Sequence, residues 1–208
     1  MDEIVEIVEK RHSSVLVLAR GERFWLTWTQ LQEHEPFAVG QQVDEEALRA
    51  WLLPRQYPMA LNDAVALLAQ RAQASGEIRQ KLKRRLYMDD TIEMVLYKLE
   101  KERLLDDAAF AREWAASRSR SQIGRARIAQ ELRAKGISRE MAQEAMDALD
   151  EETGEAAALE LARKLARRYA KEADARKAVQ KALAAMARRG YGYEESKAAL
   201  ERAFKEAY

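Results

Sequence analysis

The sequence predicts a mainly α-helical fold: a tandem array of three three-helix repeats that resemble helix-turn-helix modules, preceded by a small antiparallel β-sheet domain. Three observations predict it. An apolar pattern recurs with a period of about 50 residues, as in helical repeat proteins. Apolar residues keep helical spacings to the end of the chain, with no proline after Pro58. Residues 3–28 are instead rich in β-branched and aromatic side chains, which favour strands.

The N-terminal segment predicts three antiparallel strands. The strand candidates are Ile4–Val8, Val15–Leu18 and Phe24–Trp28. Gly21 lies between the last two, where a hairpin turn requires a positive φ. Because three strands bury little surface alone, we expect helices to cover their apolar face.

Two short helices are expected to follow the strands. Thr29 and Gln32 have the spacing of a capping box, and Asp44 precedes a second apolar-periodic segment as an N-cap. Pro54 and Pro58 then predict a break, since proline ends helices.

The repeat is clearest over residues 106–149. Shifted back by 50 positions, its apolar and basic residues align with similar ones, and shifted forward by 54 they do so again. The residues of the clearest copy are Ile128, Leu132, Lys135, Ile137 and Leu149. Fifty positions earlier they correspond to Ile78, Leu82, Arg85, Tyr87 and Leu99. Fifty-four positions later, Leu132, Lys135 and Ile137 correspond to Met186, Arg189 and Tyr191. We therefore expect about nine helices in three units, of a kind that usually presents long binding surfaces.

Capping residues mark the expected helix ends. Asp89 or Asp90, Asp106 and Ser138 are the candidate N-caps. Gly136 and Gly190 are the candidate C-terminal glycines, and Leu86 takes that position in the first repeat, where the turn must differ or be strained. Residues 151–154 are the expected joint before the third repeat. The predicted domains are residues 1–57 (sheet domain) and the repeats 58–104, 105–152 and 153–208.

Charge is segregated along the chain although the net charge is only +1. Residues 71–85 carry six basic residues against one acid, residues 112–139 carry eight against two, and residues 163–189 carry ten against two. Residues 140–160 carry eight acids and no base. Such blocks create strong local fields, which favour charged partners.

The composition argues against several functional classes. The chain has no cysteine, which excludes disulfides and thiolate metal sites and suits the cytoplasm. His12 and His34 have no metal-ligand spacing, and Asp106 with Asp107 is better explained by helix capping. No glycine-rich phosphate loop or catalytic triad pattern is present, so we expect no metal, no cofactor, no small-molecule substrate, no membrane insertion and no enzymatic activity. A nuclease is the enzymatic alternative, which an assay for hydrolysis with magnesium or manganese tests.

The basic segments are the candidate binding site. Four arginines within residues 117–127 must face solvent, acids or phosphates, because a buried charge needs a partner. A solvated surface remains the simple alternative. The candidate site residues are Arg118, Arg120, Arg125, Arg127, Arg133 and Lys135, with a second region formed by Lys81, Lys83, Arg84 and Arg85.

The chain resembles the RecX family, bacterial regulators of the RecA recombinase. The resemblance covers residues 58–208 and is strongest over residues 100–140. It depends on Leu67–Arg71, Ser75–Ile78, Lys81, Leu82, Leu104–Asp107, Phe110, Ala111, Ser117, Arg118, Gly124, Arg127, Ile128, Glu131, Leu132 and Lys135–Ile137. Ile123, where a basic residue is common, and Leu86, where glycine is usual, depart from the family pattern.

The resemblance implies a non-enzymatic function. Family members bind the groove of the RecA–DNA filament and inhibit ATP hydrolysis, strand exchange and filament extension. The implied partner is the RecA nucleoprotein filament, with possible phosphate contacts to DNA. The alternative from the residues alone is a helix-turn-helix-like DNA-binding regulator that acts without RecA, in which the second helix of a repeat would enter the major groove.

Overall fold

The strand-forming residues build a four-stranded antiparallel sheet in the computed structural model, which describes residues 1–207. The strands are β1 (Asp2–Lys10), β2 (Ser13–Leu18), β3 (Arg23–Thr27) and β4 (Gln42–Val43), in the spatial order β3-β2-β1-β4. The predicted antiparallel N-terminal sheet is confirmed, and Gly21, at a φ of +94°, lies between β2 and β3. The fourth strand was not expected, because two residues are too few to show an alternating pattern.

Helix α1 (Trp28–Glu33) begins directly after β3. The capping box is formed by Thr27 and Gln30: the Thr27 hydroxyl accepts from Gln30 N at 3.3 Å, and Gln30 Oε1 accepts from Thr27 N at 2.8 Å. The predicted box at Thr29 and Gln32 is therefore wrong by two residues. Thr27 ends β3 and caps α1 at once, so no linker separates the two elements.

Helix α2 runs without interruption from Glu45 to Gln70, so the predicted break at Pro54 and Pro58 is wrong. Asp44 is its N-cap, as predicted, and accepts from Glu46 N at 3.0 Å. Both prolines are exposed and lie four residues apart on one face. The helical hydrogen bonds that they remove are therefore on the solvent side, where water can replace them.

The opposite face of α2 holds the first half of the molecule together. Leu48 and Leu52 pack into the sheet core, whereas Ala60 and Ala64 pack into the core of the first repeat. Between them the buried Gln56 donates to Trp25 O at 3.0 Å and accepts from Met88 N at 3.1 Å. The sheet and repeat 1 thus share one helix, and the limits of the predicted domains stay a prediction.

From α2 onward the described residues contain nine helices, three to each repeat. The remaining helices are α3 (Ser75–Arg84), α4 (Asp89–Lys101), α5 (Asp107–Arg120), α6 (Arg125–Ala134), α7 (Arg139–Asp147), α8 (Glu151–Tyr169), α9 (Ala175–Arg188) and α10 (Tyr193–Ala207). Repeat 1 comprises α2–α4, repeat 2 α5–α7 and repeat 3 α8–α10. Tyr208, the end of the predicted third repeat, lies outside the described residues.

The helix ends confirm part of the predicted capping. Asp106 and Ser138 accept from Ala109 N at 2.8 Å and Met141 N at 3.1 Å. Helix α4 is capped by Met88 instead, so Asp89 and Asp90 occupy its first turn. In this position their negative charges interact favourably with the positive end of the helix dipole, although their side chains form no capping hydrogen bond.

The turn after the second helix is similar in all three repeats. Gly136 and Gly190 have φ values of +86° and +89°, as predicted for left-handed C-terminal positions. Leu86 has a φ of +65° and the same turn hydrogen bonds. Repeat 1 therefore has the same turn, in which the backbone of Leu86 is strained.

The chain divides into two units, Met1–Leu105 and one that begins at Asp106. Within the second unit, the predicted joint at residues 151–154 is wrong, because these residues form the first turn of α8. The Asp150 side chain accepts from Thr153 N at 3.1 Å and caps it. No helix within residues 1–207 is long and apolar enough to cross a membrane.

Candidate partner-binding surface

The ten candidate cations fall into two groups, one in each unit. Lys81, Lys83 and Arg84 lie in α3, and Arg85 follows it as the C-cap. The other group is in repeat 2: Arg118 and Arg120 in α5, Arg125, Arg127 and Arg133 in α6, and Lys135 as the C-cap of α6.

In repeat 1 most of these cations contact side chains of their own unit. Arg85 forms an ion pair with Asp63, which raises the pKa of the guanidinium chiefly through a hydrogen bond. Lys83 Nζ lies 2.9 Å from Asp89 Oδ1, and Lys81 donates to the side-chain oxygen of Gln73. Arg84 is exposed and has no ion-pair partner among the described residues. Repeat 1 therefore presents a partly neutralised basic surface.

In repeat 2 several cations gather around one tryptophan. We call Phe110, Trp114, Arg118, Glu131 and Lys135 the Trp114 cluster. The rings of Phe110 and Trp114 stack with centroids 5.9 Å apart, and Lys135 Nζ lies 4.1 Å from the Trp114 centroid. The Arg118 guanidinium lies 5.7 Å from the same ring. Cation–π attraction thus fixes two positive charges on an aromatic pair in which Phe110 is buried and Trp114 is half-buried.

Glu131 orients the cations of this cluster. Its two carboxylate oxygens accept from Arg118 Nε and Nη2, each at 2.7 Å, and Oε2 also accepts from Trp114 Nε1 at 3.2 Å. Arg127 Nε lies 3.5 Å from Glu131 Oε1. The bidentate hydrogen bond from Arg118 is the largest cause of the lowered pKa of Glu131. One carboxylate therefore faces both Arg118 and Arg127 and orders their guanidinium groups.

Arg120, Arg125 and Arg133 are exposed and have no ion-pair partner within residues 1–207. Arg125 and Arg127 are two positions apart in α6, so they project about 200° apart around its axis. Arg125 lines a small cavity of about 20 Å³ together with Asp150 and Glu195, whereas Arg127 contacts Glu131. The two arginines therefore do not form one patch on a single helix face.

The N-terminus of α6 is covered by the C-terminal end of α9. Gly124 N donates to Arg189 O at 2.8 Å, and Ala126 N donates to Gly190 O at 3.2 Å. A Cβ atom on Gly124 would lie 2.3 Å from the Gly190 carbonyl, and one on Gly190 would lie 2.5 Å from Arg127 Cβ. Two glycines thus allow repeats 2 and 3 to meet by direct backbone contact, which we call the glycine junction.

Sequence reasoning missed the roles of Glu131 and Gly124. In the sequence, Glu131 was counted only as one of the two acids of the basic segment 112–139, and Trp114 was interpreted only as a core or interface residue. A signal was present: Phe110, Trp114 and Arg118 are spaced by four, as are Arg127, Glu131 and Lys135, so each set lies along one flank of its helix. The glycine junction has no such signal, because its two sides are far apart in the chain.

Comparison with known families gives matches over all three repeats. The models for the first, second and third three-helix domains of RecX match residues 60–99, 106–146 and 152–200. The protein named Regulatory protein RecX from Amycolatopsis mediterranei is 36% identical over 137 residues, which span 65% of this chain and 78% of the relative. Its namesake from Prosthecochloris aestuarii is 44% identical over 92 residues, which span 44% of this chain and 61% of the relative.

Solved structures show the same fold. A crystal structure of regulatory protein RecX is similar over 99% of this chain and 100% of its own, with a TM-score of 0.64 at 23% identity. RecX from Lactobacillus salivarius is similar over 73% of this chain and 98% of its own, with a TM-score of 0.66 at 22% identity. At these identities the likeness concerns the fold alone.

Proposed function

The chain belongs to the RecX family, and on that premise we propose that it is a non-enzymatic regulator that binds the groove of the RecA–DNA filament. In this proposal its binding inhibits RecA ATP hydrolysis, strand exchange and filament extension. The relatives are named as regulatory proteins, which supports a regulatory role. The proposed partner is the RecA nucleoprotein filament, and the proposed location is the cytoplasm.

The Trp114 cluster is the observation that carries the proposal. Glu131 orders Arg118 and Arg127 around its carboxylate, and Lys135 lies over the Trp114 ring. Arg120, Arg125 and Arg133 are exposed nearby in sequence. Ordered guanidinium groups lose little conformational entropy when they meet carboxylates or phosphates. Residues 112–139, which carry eight basic residues against two acids, suit a partner that carries negative charge along its length.

The cations of α3 support a second point of contact. Lys81, Lys83, Arg84 and Arg85 are on a different unit from the Trp114 cluster. Two weak charged contacts on one chain bind a long partner more tightly than either contact alone. We therefore propose that both basic regions, one in repeat 1 and one in repeat 2, take part in binding.

The alternative, a helix-turn-helix reader of duplex DNA, is disfavoured by the ends of the second helices in repeats 2 and 3. Such readers insert the N-terminal part of the recognition helix into the major groove. In α6 the N-terminal N–H groups already donate to Arg189 and Gly190. In α9 they donate to the Asp174 carboxylate, at 2.9 Å from Arg176 N. The N-terminus of α6 is thus covered by backbone and that of α9 by a carboxylate, so neither is favourable for binding a DNA phosphate.

The test measures RecA ATPase activity on single-stranded DNA with increasing amounts of the protein. We expect inhibition at amounts below one protein per RecA monomer, because blocking extension affects many monomers. Unchanged ATP turnover and filament length at excess protein would contradict the proposal. Sequence-selective duplex binding at physiological salt without RecA would instead favour the alternative.

Variants test whether the repeat 2 cations make the contact. Replacing Arg120, Arg125 and Arg133 together by glutamine should weaken inhibition about tenfold or more, since each charged contact contributes about 0.5–1 kcal/mol or more. The matched control replaces Lys10, Arg11 and Arg23, three exposed cations of the sheet domain, by glutamine. Equal losses in both variants would show that only net charge matters, and would exclude repeat 2 as a specific site.

A further inference from the structure

Half of strand β1 forms an open edge of the N-terminal sheet. Its residues Glu6–Lys10 pair with β2 on one side. On the other side β4 pairs only with Asp2 and Glu3, and the loop before β4 bonds to Ile4. Among residues 1–207, the backbone of Glu6–Lys10 has no partner on this second side. Such an edge is a template for another strand, because its N–H and C=O groups can bond to a second chain.

The edge of the sheet formed by β3 is less available than that of β1. There the buried side chain of Gln56, in α2, donates to Trp25 O at 3.0 Å. The open part of β1 is instead accessible to solvent, because Glu6, Glu9 and Lys10 are exposed. Strand β1 is therefore the better place for an added strand.

The charges of Glu6–Lys10 are complementary to those of the same segment in a second copy. Opposite residues of an antiparallel pair have side chains on the same face, so pairing about a two-fold axis is centred on one residue. Centred on Val8, it places Glu6 of each copy opposite Lys10 of the other. Centred on Ile7 it would place Glu6 opposite Val8, and centred on Glu9 it would place two carboxylates opposite each other. Charge thus selects the register centred on Val8.

The two charges that would meet are available for this contact. Neither Glu6 nor Lys10 has an ion-pair partner among the described residues. Charged side chains often protect a sheet edge from pairing, but opposite charges directly across two strands stabilise it. The two-fold axis makes each such contact occur twice. Val8 lies between them, on the same face of the strand, and supplies an apolar centre.

We propose that Glu6–Lys10 pairs antiparallel with the same segment of a second copy of this chain, centred on Val8, and joins two N-terminal sheets into one. The contact is isologous, so it closes at two chains. Because the paired segments are short and their ion pairs exposed, the dimer is weak and sensitive to salt. The partner is a second copy and not the RecA filament, so this inference goes beyond the proposed function.

The first test measures the mass of the full chain by sedimentation velocity over a concentration series at low and at physiological salt. We expect a monomer–dimer equilibrium that weakens as salt rises, with no species larger than a dimer. A protein that remains monomeric throughout would overturn the proposal. So would open-ended oligomers, because they require a contact between two different surfaces.

The second test exchanges the charges. Glu6→Lys and Lys10→Glu should each weaken dimerisation about tenfold or more, because each places like charges opposite one another twice. The control Glu100→Lys makes the same charge change on an exposed residue of α4 and should stay within about twofold of wild type, since it lies outside the edge.

Combining the two changes provides the decisive comparison. The double variant Glu6→Lys/Lys10→Glu restores opposite charges and should dimerise within about threefold of wild type. A mixture of the two single variants should form heterodimers for the same reason, although neither variant pairs well with itself. If the double variant and the mixture are as weak as the single variants, the proposed register is wrong.

The third test uses the absence of native cysteine. Val8→Cys places two thiols opposite each other at the two-fold axis, so oxidised glutathione should convert the variant into a disulfide-linked dimer. Val65→Cys is the matched control, since Val65 is 42% exposed on α2 and outside the sheet. Equal rates of cross-linking in the two variants would overturn the contact at Val8.

The proposed function and this inference fail independently. At the small amounts of protein that test RecA inhibition, the weak dimer is dissociated by mass action. Normal inhibition by a protein that never dimerises would overturn only the paired edge. Dimerisation with unchanged RecA ATP turnover would contradict only the proposed function.

Discussion

At the residue scale, Glu131 decides how the cations of repeat 2 are arranged. Its carboxylate binds Arg118 in bidentate geometry and accepts from the indole of Trp114. Because only 16% of its side chain is exposed, the pair is less screened by solvent than most surface ion pairs. Its loss should therefore affect both stability and the order of the basic surface.

We expect Glu131→Gln to lower the free energy of unfolding by about 1–2 kcal/mol at pH 7, the contribution of charged hydrogen bonds. The pKa of Glu131 is lowered in the folded state, so its stabilisation is present above the ordinary value of 4.5 and is lost as the pH falls through the folded pKa. Urea denaturation between pH 7 and pH 3 should thus show the variant and wild type converging in acid.

The matched control is Glu102→Gln, which removes an exposed ion pair with Lys98. Its unfolding curves should stay close to those of wild type at each pH, because solvent screens this pair. A difference between wild type and Glu131→Gln that does not shrink in acid would contradict the assigned role of the carboxylate.

Leu86 carries backbone strain that two glycines avoid in the other repeats. We expect Leu86→Gly to be more stable than Leu86→Ala by about 1 kcal/mol, because both lose the side chain but only alanine retains the strain of a positive φ. Thermal or urea denaturation of the two variants measures the difference. Equal stability, or a more stable alanine variant, would show that the turn relaxes when the leucine is removed.

At the scale of elements, α2 shows that packing on one face can hold a helix through two prolines. Leu52, Gln56 and Ala60 are fully buried, whereas Pro54 and Pro58 are exposed. The buried face links two cores, so ending the helix at either proline would expose apolar surface in both. Burial of several apolar side chains outweighs the loss of two solvent-facing hydrogen bonds.

We expect Pro58→Ala to stabilise the protein by about 1 kcal/mol, because it restores a helical N–H donor to the Pro54 carbonyl. Pro36, in the exposed loop between α1 and β4, provides the opposite control. Pro36→Ala should destabilise by about 0.5 kcal/mol, since it only increases the freedom of the unfolded chain. Two changes of the same sign in chemical denaturation would contradict this account of α2.

At the scale of the whole molecule, repeats 2 and 3 are joined by backbone contact at the glycine junction. Gly124 has a φ of −76°, which any residue can adopt, so its requirement is steric. The Gln122 side chain adds polar contacts between the repeats, donating to Glu160 at 2.6 Å and accepting from Lys164 at 3.2 Å. Close backbone approach and side-chain hydrogen bonds thus both join the two repeats of the second unit.

We expect Gly124→Ala to destabilise the second unit by about 3 kcal/mol, because its Cβ would overlap the Gly190 carbonyl group. Gly154→Ala is the control: it lies in α8, no atom lies within 4 Å of its added Cβ, and it should stabilise by up to about 1 kcal/mol. Denaturation combined with hydrogen exchange at the first turn of α6 measures both. Wild-type protection of that turn in Gly124→Ala would contradict the junction.

Much of this architecture follows from local signals in the sequence. The antiparallel sheet, the three helices of each repeat and the caps at Asp44, Asp106 and Ser138 depend on residues within a few positions of one another. A strand alternates, a helix repeats every three or four residues, and a cap bonds to the next turn. Family membership was also predicted, because its motifs are continuous in the chain.

Only the tertiary structure decided how distant segments meet. The path of α2 through Pro54 and Pro58, the pairing of β4 with β1, the carboxylate of Glu131 beneath Arg118, and the contact of Gly124 with Gly190 all join residues whose sequence separation hides their proximity. The sequence by itself therefore determined most of the elements that form and that residues 112–139 are basic. Which cations are paired and which are exposed was determined by packing, because charge pairing depends on distances that local patterns do not specify.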